Sequence, residues 1–469
     1  MAFLPKSKLW RTIIVLGGFT LLVAIFYAEE NWRGKRAWEN CKRELEARGE
    51  IVDWDKLIPP PVLDDQNFFK APKMQEWFVN NWHSDTNELA DRLRDVKFQA
   101  MTASVSTATN LIQTADEAKD YLVWSDQSKP DFDLIGDALK RPYARMEGDY
   151  REPIIIPIPD FVSIRVVAQM LSQRAHCYLL LGQPNKALDE LTLLNNLRRT
   201  MEAAPSGKPI TSIAMSINLA AAGIYLNTIS DGLHLHTWRE PQLVSLQRQL
   251  KKINFAPIVA KSFELESATW CWTFKNLLRK YPNDPSLWQN LKHFRFPWGN
   301  YMPSGWVYQN MVTIAKLQSK LVDSTDFENG TILPERIETE RRQAKEIHNH
   351  FSFYTFLARF ATDADLSKIW QTTAHNQTLV NEAQIACALE RCHLAHGKYP
   401  ETLDALAPQF IEKIPHDIIG GQPLHYRRTD DGKFLLYSVG WNEIDDGGQE
   451  PLTKGGVIDY TNGDWVWKN

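Results

Sequence analysis

The longest uncharged apolar run in the chain is Thr12 to Ala28 (TIIVLGGFTLLVAIFYA). A helix over this run places Trp10 and Tyr27 near the two faces of a hydrocarbon layer about 30 Å thick, the depth at which amphipathic rings settle. The pattern predicts one membrane-spanning helix. Lys6, Lys8 and Arg11 precede it, and Glu29 and Glu30 follow it at once. That asymmetry keeps the N-terminus in the cytoplasm and places the bulk of the chain on the other side. Phe26 stands where cleavage after Ala28 needs a small residue, so an uncleaved anchor is expected rather than a removed signal peptide. Another apolar stretch, Ile213 to Ile229, is interrupted by Ser216, Asn218 and Asn227 and reads as a buried helix of a soluble body.

Beyond the anchor the spacing of apolar positions changes. Lys35 to Arg48 mixes both charge signs with strong helix formers and ends at Gly49, which predicts a helix leaving the membrane surface and stopping there. Pro59, Pro60 and Pro61 forbid a helix between Gly49 and Phe69, a stretch that reads as extended linker. From about Lys73 to His396 apolar residues recur at helical intervals, as in Ala187, Leu191 and Leu194, or Phe263, Trp270, Phe274 and Leu277. One compact helical domain is expected there. Pro153 to Pro159 (PIIIPIP) is the exception, an extended connector.

After His396 the period becomes alternating. Leu424, Tyr426 and Arg428 alternate with His425 and Arg427, Asp431-Gly432 follows, and Phe434 to Val439 runs back. This predicts a β-hairpin with a two-residue turn. Asn462-Gly463, between Val457 to Thr461 and Asp464 to Trp467, predicts a second hairpin. The expected fold class is mainly α, with a large helical body and a small C-terminal α+β module. Its parts are a cytoplasmic N-terminus (1–11), a transmembrane helix (12–28), a juxtamembrane helix with Pro-rich linker (29–72), the helical domain (73–375), and a stem helix with hairpins (376–469).

Composition then narrows the function classes. Lys and Arg number 53 against 57 Asp and Glu, so no positive excess exists to neutralise a phosphate backbone and no nucleic-acid partner is expected. Apolar residues at 43% and charged residues at 23% exclude a collagen-like or wholly disordered polymer. The 17 Trp read first as large core residues. Cys41, Cys177, Cys271, Cys387 and Cys392 are widely spread, odd in number and without a CxxC pair. Buried free thiols are therefore expected rather than a zinc ribbon or a disulfide framework.

Two stretches resemble known families. Ala175, Tyr178, Gly182 and Ala187 (AHCYLLLGQPNKALDEL) occupy the small, aromatic, turn-glycine and small positions of a tetratricopeptide-like helix pair, here without tandem copies. The region from about Glu382 to Trp467 resembles the soluble part of the major pseudopilin of type II secretion systems. The matching pieces are a helix into Gly397-x-Tyr399-Pro400, Leu403 and Leu406, the Pro423-x-x-Tyr426-Arg427 strand, the Ser438-x-Gly440 strand end, the acidic loop from Asn442 to Gly448, and Asp459 to Trp465. It covers about a fifth of the chain. A pseudopilin continues its membrane helix directly into this stem, with a glutamate inside the apolar run; here more than 300 residues intervene and Thr12 to Ala28 has no glutamate. The resemblance implies that the acidic loop holds calcium, with Asn442, Asp445, Asp446 and Asp459 as ligands. Anchor and resemblance together imply a single-pass protein of a bacterial inner membrane, its bulk on the periplasmic or extracytoplasmic side.

No G-x-S-x-G elbow, H-E-x-x-H, Walker loop or dinucleotide glycine motif is present, and no catalytic or cofactor-binding residue is assigned. His234 and His236, like His348 and His350, lie two apart, a spacing that points side chains apart on a helix; satisfied or exposed histidines are expected. Glu264 and Glu266 near Trp270 and Trp272 read as helix-surface charge rather than a glycosidase pair. The expected function is that of a membrane-anchored, non-catalytic scaffold, held in the bilayer by residues 12–28 and binding an envelope protein. A secretion-apparatus component and a hydrolase of envelope polymers stand as alternatives.

Overall fold

The structure, a computed structural model, describes residues 8–80, 87–94, 112–202, 211–280, 302–362, 367–450, 452 and 459–467. The helices used below are α1 (Lys8–Ala47), α2 (Trp54–Leu57), α3 (Met74–Phe78), α4 (Glu88–Arg94), α5 (Ala115–Ser125), α6 (Lys129–Ala138), α7 (Phe161–Leu180), α8 (Pro184–Arg199), α9 (Ser212–His234) and α10 (Glu240–Leu250). They continue with α11 (Ala256–Lys280), α12 (Ser304–Val322), α13 (Pro334–Asn349), α14 (Ala358–Ala361) and α15 (Ser367–His396). Short strands are β1 (Thr325–Asp326), β2 (Thr331–Ile332), β3 (His425–Arg428), β4 (Phe434–Ser438) and β5 (Trp465–Val466). The molecule is mainly helical, as expected, with a small sheet at the C-terminal end.

The chain forms two compact units, one of residues 1–56, 264–320 and 339–365, the other of residues 57–263, 321–338 and 366–469. Each has its own apolar core. This cuts the chain differently from the sequence-based division. Residues 73–375, expected as one domain, are shared between the units, and the expected boundary at 375/376 falls inside α15. Helical periodicity identifies each helix but not the partner it packs against.

In the first unit the expected membrane helix and juxtamembrane helix are one element. Residues 10–26 of α1 are exposed on every face, whereas Glu30, Gly34, Trp38, Cys41 and Leu45 form a buried stripe at helical spacing. Its most apolar stretch has mean hydropathy 2.0 with none of it buried, and is long enough to cross a membrane. The helix ends where glycine was expected to end it, at Gly49 with φ +83°. The stripe packs on residues 304–320 of α12 and on Cys271 and Phe274. Two glycines set the approach, because a Cβ on Gly34 would lie 2.2 Å from the Gly305 carbonyl oxygen. Asn31 Oδ1 accepts from the Gly305 N–H and the Ser304 hydroxyl, each at 3.0 Å, capping the start of α12. Glu30 is buried but satisfied. It accepts from Arg33 at 2.6 Å, from the Trp306 indole at 2.9 Å and from the Tyr354 hydroxyl at 3.3 Å.

The stretch from Gly49 to Phe69, expected as an extended linker, carries the short helix α2 ahead of the prolines, and in the second unit Phe68 and Phe69 are apolar enough to be pulled into the core on short 3₁₀ turns. Asn67 fastens that segment by exchanging two hydrogen bonds with the backbone of Arg145, at 2.8 and 3.0 Å. Within Pro153 to Pro159, residues 153–155 make a 3₁₀ turn and only the remainder is extended. The chain around Gly182 folds as a helix pair: Asp160 caps α7, Gly182 turns at φ +68°, and Pro184 opens α8. Ala175 and Ala187 are fully buried where the helices meet, and Arg174 of α7 donates to Glu190 of α8 at 2.8 Å. Helix α7 also packs on α4, α5 and α9. Helix α9 is apolar and long enough to cross a membrane, yet most of that stretch is buried, in line with the sequence reading.

At the C-terminal end α15 lies against the antiparallel sheet β3-β4-β5. The β3–β4 hairpin is present, but its loop has three residues, Asp430 to Gly432, closed by Thr429 N–H donating to Lys433 O at 3.0 Å, with Gly432 at φ +81°. A left-handed third residue fits a three-residue hairpin loop rather than the expected two-residue turn. The expected second hairpin is replaced by a different pairing. Strand β5 joins β4, with Ser438 opposite Trp465, and residues 459–463 form a turn. Residues 457 and 458 lie outside the described residues. The hairpin β1–β2, inside the stretch read as helical, was not anticipated.

Glu382 of α15 is wholly buried beneath this module, and neither carboxylate oxygen has a hydrogen-bond partner. Burial, reinforced by Asp417 and Glu450, pushes its carboxyl well above the ordinary range. The folded chain therefore holds a proton that the unfolded chain releases above about pH 4.3, and stability falls as pH rises from there towards the folded value. Glu382→Met, which keeps the volume and removes the orphaned group, is expected to stabilise the protein at pH 7 by about 1–3 kcal/mol. The gain should shrink towards pH 4. Thermal unfolding of both proteins across that range measures it; a methionine variant less stable at every pH would show that the carboxyl is satisfied.

Candidate functional site

The acidic loop after β4 is organised by a residue outside the expected calcium set. Asp464, just before β5, accepts the Asp446 N–H at 3.3 Å and the Gly448 N–H at 2.6 Å, drawing the loop over the sheet edge. Asn442 donates to Asp446 at 3.3 Å, so these two expected ligands are together. Asp445 is turned elsewhere: it accepts from the Gly447 N–H at 2.9 Å and the Tyr437 hydroxyl at 3.0 Å, with His425 Nδ1 at 3.4 Å. The Gly447 N–H, followed by Tyr437 and His425, holds its carboxyl below the usual range. Asp459 closes its own turn by accepting from the Thr461 N–H at 3.0 Å and the Asn462 amide at 2.8 Å. Calcium requires about six to eight converging oxygens; of the four expected ligands Asn442 and Asp446 are hydrogen-bonded to each other.

A different group converges at the C-terminal end of α15. Glu390 and His393 are three residues apart and so share one helix face; the third member, His236, comes from the turn between α9 and α10. That turn is locked from beneath. Gly232 leaves room for the fully buried Trp238, whose indole nitrogen would lie 2.1 Å from any Cβ there. The Trp238 N–H donates to the Ile229 carbonyl at 3.1 Å. The His236 and Thr237 N–H groups donate to the Leu233 and Gly232 carbonyls at 2.9 and 3.1 Å. His236 is left at φ +47°, the left-handed position after a helix that glycine usually fills.

His236 Nδ1 lies 3.0 Å from Glu390 Oε1, and Glu390 Oε2 accepts the Tyr399 hydroxyl at 3.0 Å. The His393 ring stacks on Tyr399 with centroids 4.7 Å apart. Burial, then the Glu390 carboxylate, raises the Tyr399 phenol above its usual range, so it remains a donor. On the neighbouring face of α15, Arg391 donates to Glu240 of α10 from Nε at 2.9 Å and from Nη2 at 2.7 Å. Donor atoms of His236, Glu390 and His393 all lie within 4.8 Å of one another, and among the described residues this is the one cluster of three or more His, Cys, Asp or Glu spaced for an ion.

His236 was considered only with His234, whose ring instead contacts the Ser230 carbonyl at 2.9 Å within its own helix. The missed signal was the Glu390-x-x-His393 spacing, which places two donors on one helical face. His348 lies on α13 and His350 just beyond it. Glu264 is buried, a correction to its reading as surface charge, and Ala260, Ser267 and Ala268 on the same face of α11 are buried with it. All five cysteines are buried and none forms a disulfide. Comparisons with protein-family models, curated proteins and solved structures return no match for this chain.

Proposed function

We propose that the protein is a single-pass, uncleaved membrane protein of a bacterial inner membrane that holds its helical body on the extracytoplasmic side and binds an envelope protein there without catalysing a reaction. The observation that carries this reading is α1, one helix that is exposed over residues 10–26, uncharged there from Thr12 onward, and then supplies the stripe of the first unit's core. The apolar part is tied to that unit, since the Phe26 ring meets Trp306 edge-on at 6.3 Å, and residue 28 falls within unbroken helix. Exposed Trp10 at one end and Trp32 beyond the other suit the two interfaces of a bilayer.

Intact mass and alkaline extraction test the anchor: the full-length polypeptide is expected in the membrane pellet, and a trimmed or washable form would overturn it. Chemical cross-linking on intact cells followed by purification tests the binding role, with a recurrent envelope protein as the expected result. A second reading, a secretion-apparatus component, is favoured by the order of elements at the C-terminal end, a long helix followed by three antiparallel strands. On that reading millimolar Ca²⁺ raises the melting temperature and the pair Asp445→Ala, Asp446→Ala removes the rise. No shift with Ca²⁺ would remove the calcium part of it.

A further inference from the structure

We propose that His236, Glu390 and His393 form a binding site for a divalent transition-metal cation of the zinc class, with one coordination position left to solvent. Two imidazoles and one carboxylate are a donor set that zinc accepts and that the oxygen-seeking ions calcium and magnesium do not favour. The spacing fits. Two donors at about 2.0–2.1 Å from a tetrahedral zinc stand about 3.3 Å apart, and His236 Nδ1 and Glu390 Oε1 are already 3.0 Å apart, with His393 inside the same 4.8 Å envelope.

The supports around these donors are those a metal site needs. Glu390 and His393 are fixed by one rigid helix, and His236 by the Trp238-locked turn. Tyr399 holds Glu390 Oε2, which orients the carboxylate and leaves Oε1 facing the histidines, the outer-sphere arrangement that raises metal affinity. The Glu390 side chain is buried at 3% exposure while His236 is 58% exposed, so the site has a dry floor and an open mouth through which an ion and a solvent ligand enter. A histidine also occupies a left-handed backbone position that glycine would fill with less strain.

The test uses the full-length chain in detergent, stripped with chelator and titrated with zinc chloride by calorimetry and thermal unfolding. One zinc per chain is expected at micromolar concentration or tighter, with a raised melting temperature. His393→Ala and His236→Gly should each weaken binding at least tenfold. Because glycine suits the backbone at 236, His236→Gly should leave the metal-free melting temperature unchanged or higher, which separates loss of a ligand from loss of the fold. Tyr399→Phe should weaken binding about tenfold although it removes no ligand. Zinc binding that survives both His236→Gly and His393→Ala would overturn the proposal. So would the absence of any zinc response, and a lower melting temperature for His236→Gly would then mark the His236–Glu390 contact as a hydrogen-bonded clamp alone.

Discussion

Gly305→Ala is expected to unfold the first unit while the second stays folded. A Cβ at Gly305 would lie 1.9 Å from the Glu30 carbonyl oxygen, 2.5 Å from its carbonyl carbon and 3.0 Å from the Asn31 Cα. All three are backbone atoms of α1, so no side chain can swing aside, and α1 and α12 must separate by more than an ångström. Separation also draws the Asn31 cap from the start of α12 and the Trp306 N–H from Glu30, leaving a buried carboxylate short of donors. A loss of about 3 kcal/mol or more is expected, at or above the upper end of ordinary overpacking. Limited proteolysis reads it: new cuts in residues 29–56 and 302–320, with unchanged protection of α7 to α10. Gly18→Ala is the control, since a Cβ there meets nothing within 4 Å. Equal protease resistance of Gly305→Ala and the parent protein would mean that the helices are not in this contact.

Arg198→Ala is expected to cost about 3–5 kcal/mol, the range for removing one partner of a buried ion pair. The side chain is 1% exposed. Its Nε–H donates to Asn195 at 3.0 Å, and Nη1 donates to Glu202 and to Asn218 of α9, each at 2.7 Å. Its guanidinium also sits 5.7 Å over the Phe255 ring. Alanine would open a cavity and strand two amides and a largely buried carboxylate, with Arg199 at 3.8 Å a weaker substitute. A fall in melting temperature of roughly 4–7 °C follows from the per-residue unfolding entropy of a unit this large. The double change Arg198→Met, Glu202→Leu should recover most of it, because a buried ion pair is often replaceable by apolar groups of similar volume. If the double variant were as unstable as Arg198→Ala, the lost stability would lie in packing against Phe255 rather than in the stranded charge.

Local signals were legible where local physics decides. Gly49 ends α1, Gly182 and Pro184 turn α7 into α8, and Phe434 to Ser438 forms the expected strand. The reading failed where a residue's fate depends on something distant. Phe68 and Phe69 looked like linker because the prolines beside them forbid a helix, but burial of two aromatic rings outweighs the order it imposes on the chain. Strand β5 was assigned to its sequence neighbour and pairs with β4 instead. The candidate metal residues were invisible as a set because 154 positions separate His236 from Glu390.

By itself the sequence determined an uncharged run that only lipid or a protein core can solvate, a body built of helices, and an α+β module at its C-terminal end. Each follows from forces acting within a few residues, which composition and period record directly. Tertiary structure alone decided that Cys271, Phe274, the apolar face of α12 and Ala358 share a core with α1, that Glu382 is buried without a partner, and that His236 meets Glu390 and His393. These depend on which helix faces exclude water together. Many pairings satisfy the same apolar periodicity, and close packing of the whole chain selects among them.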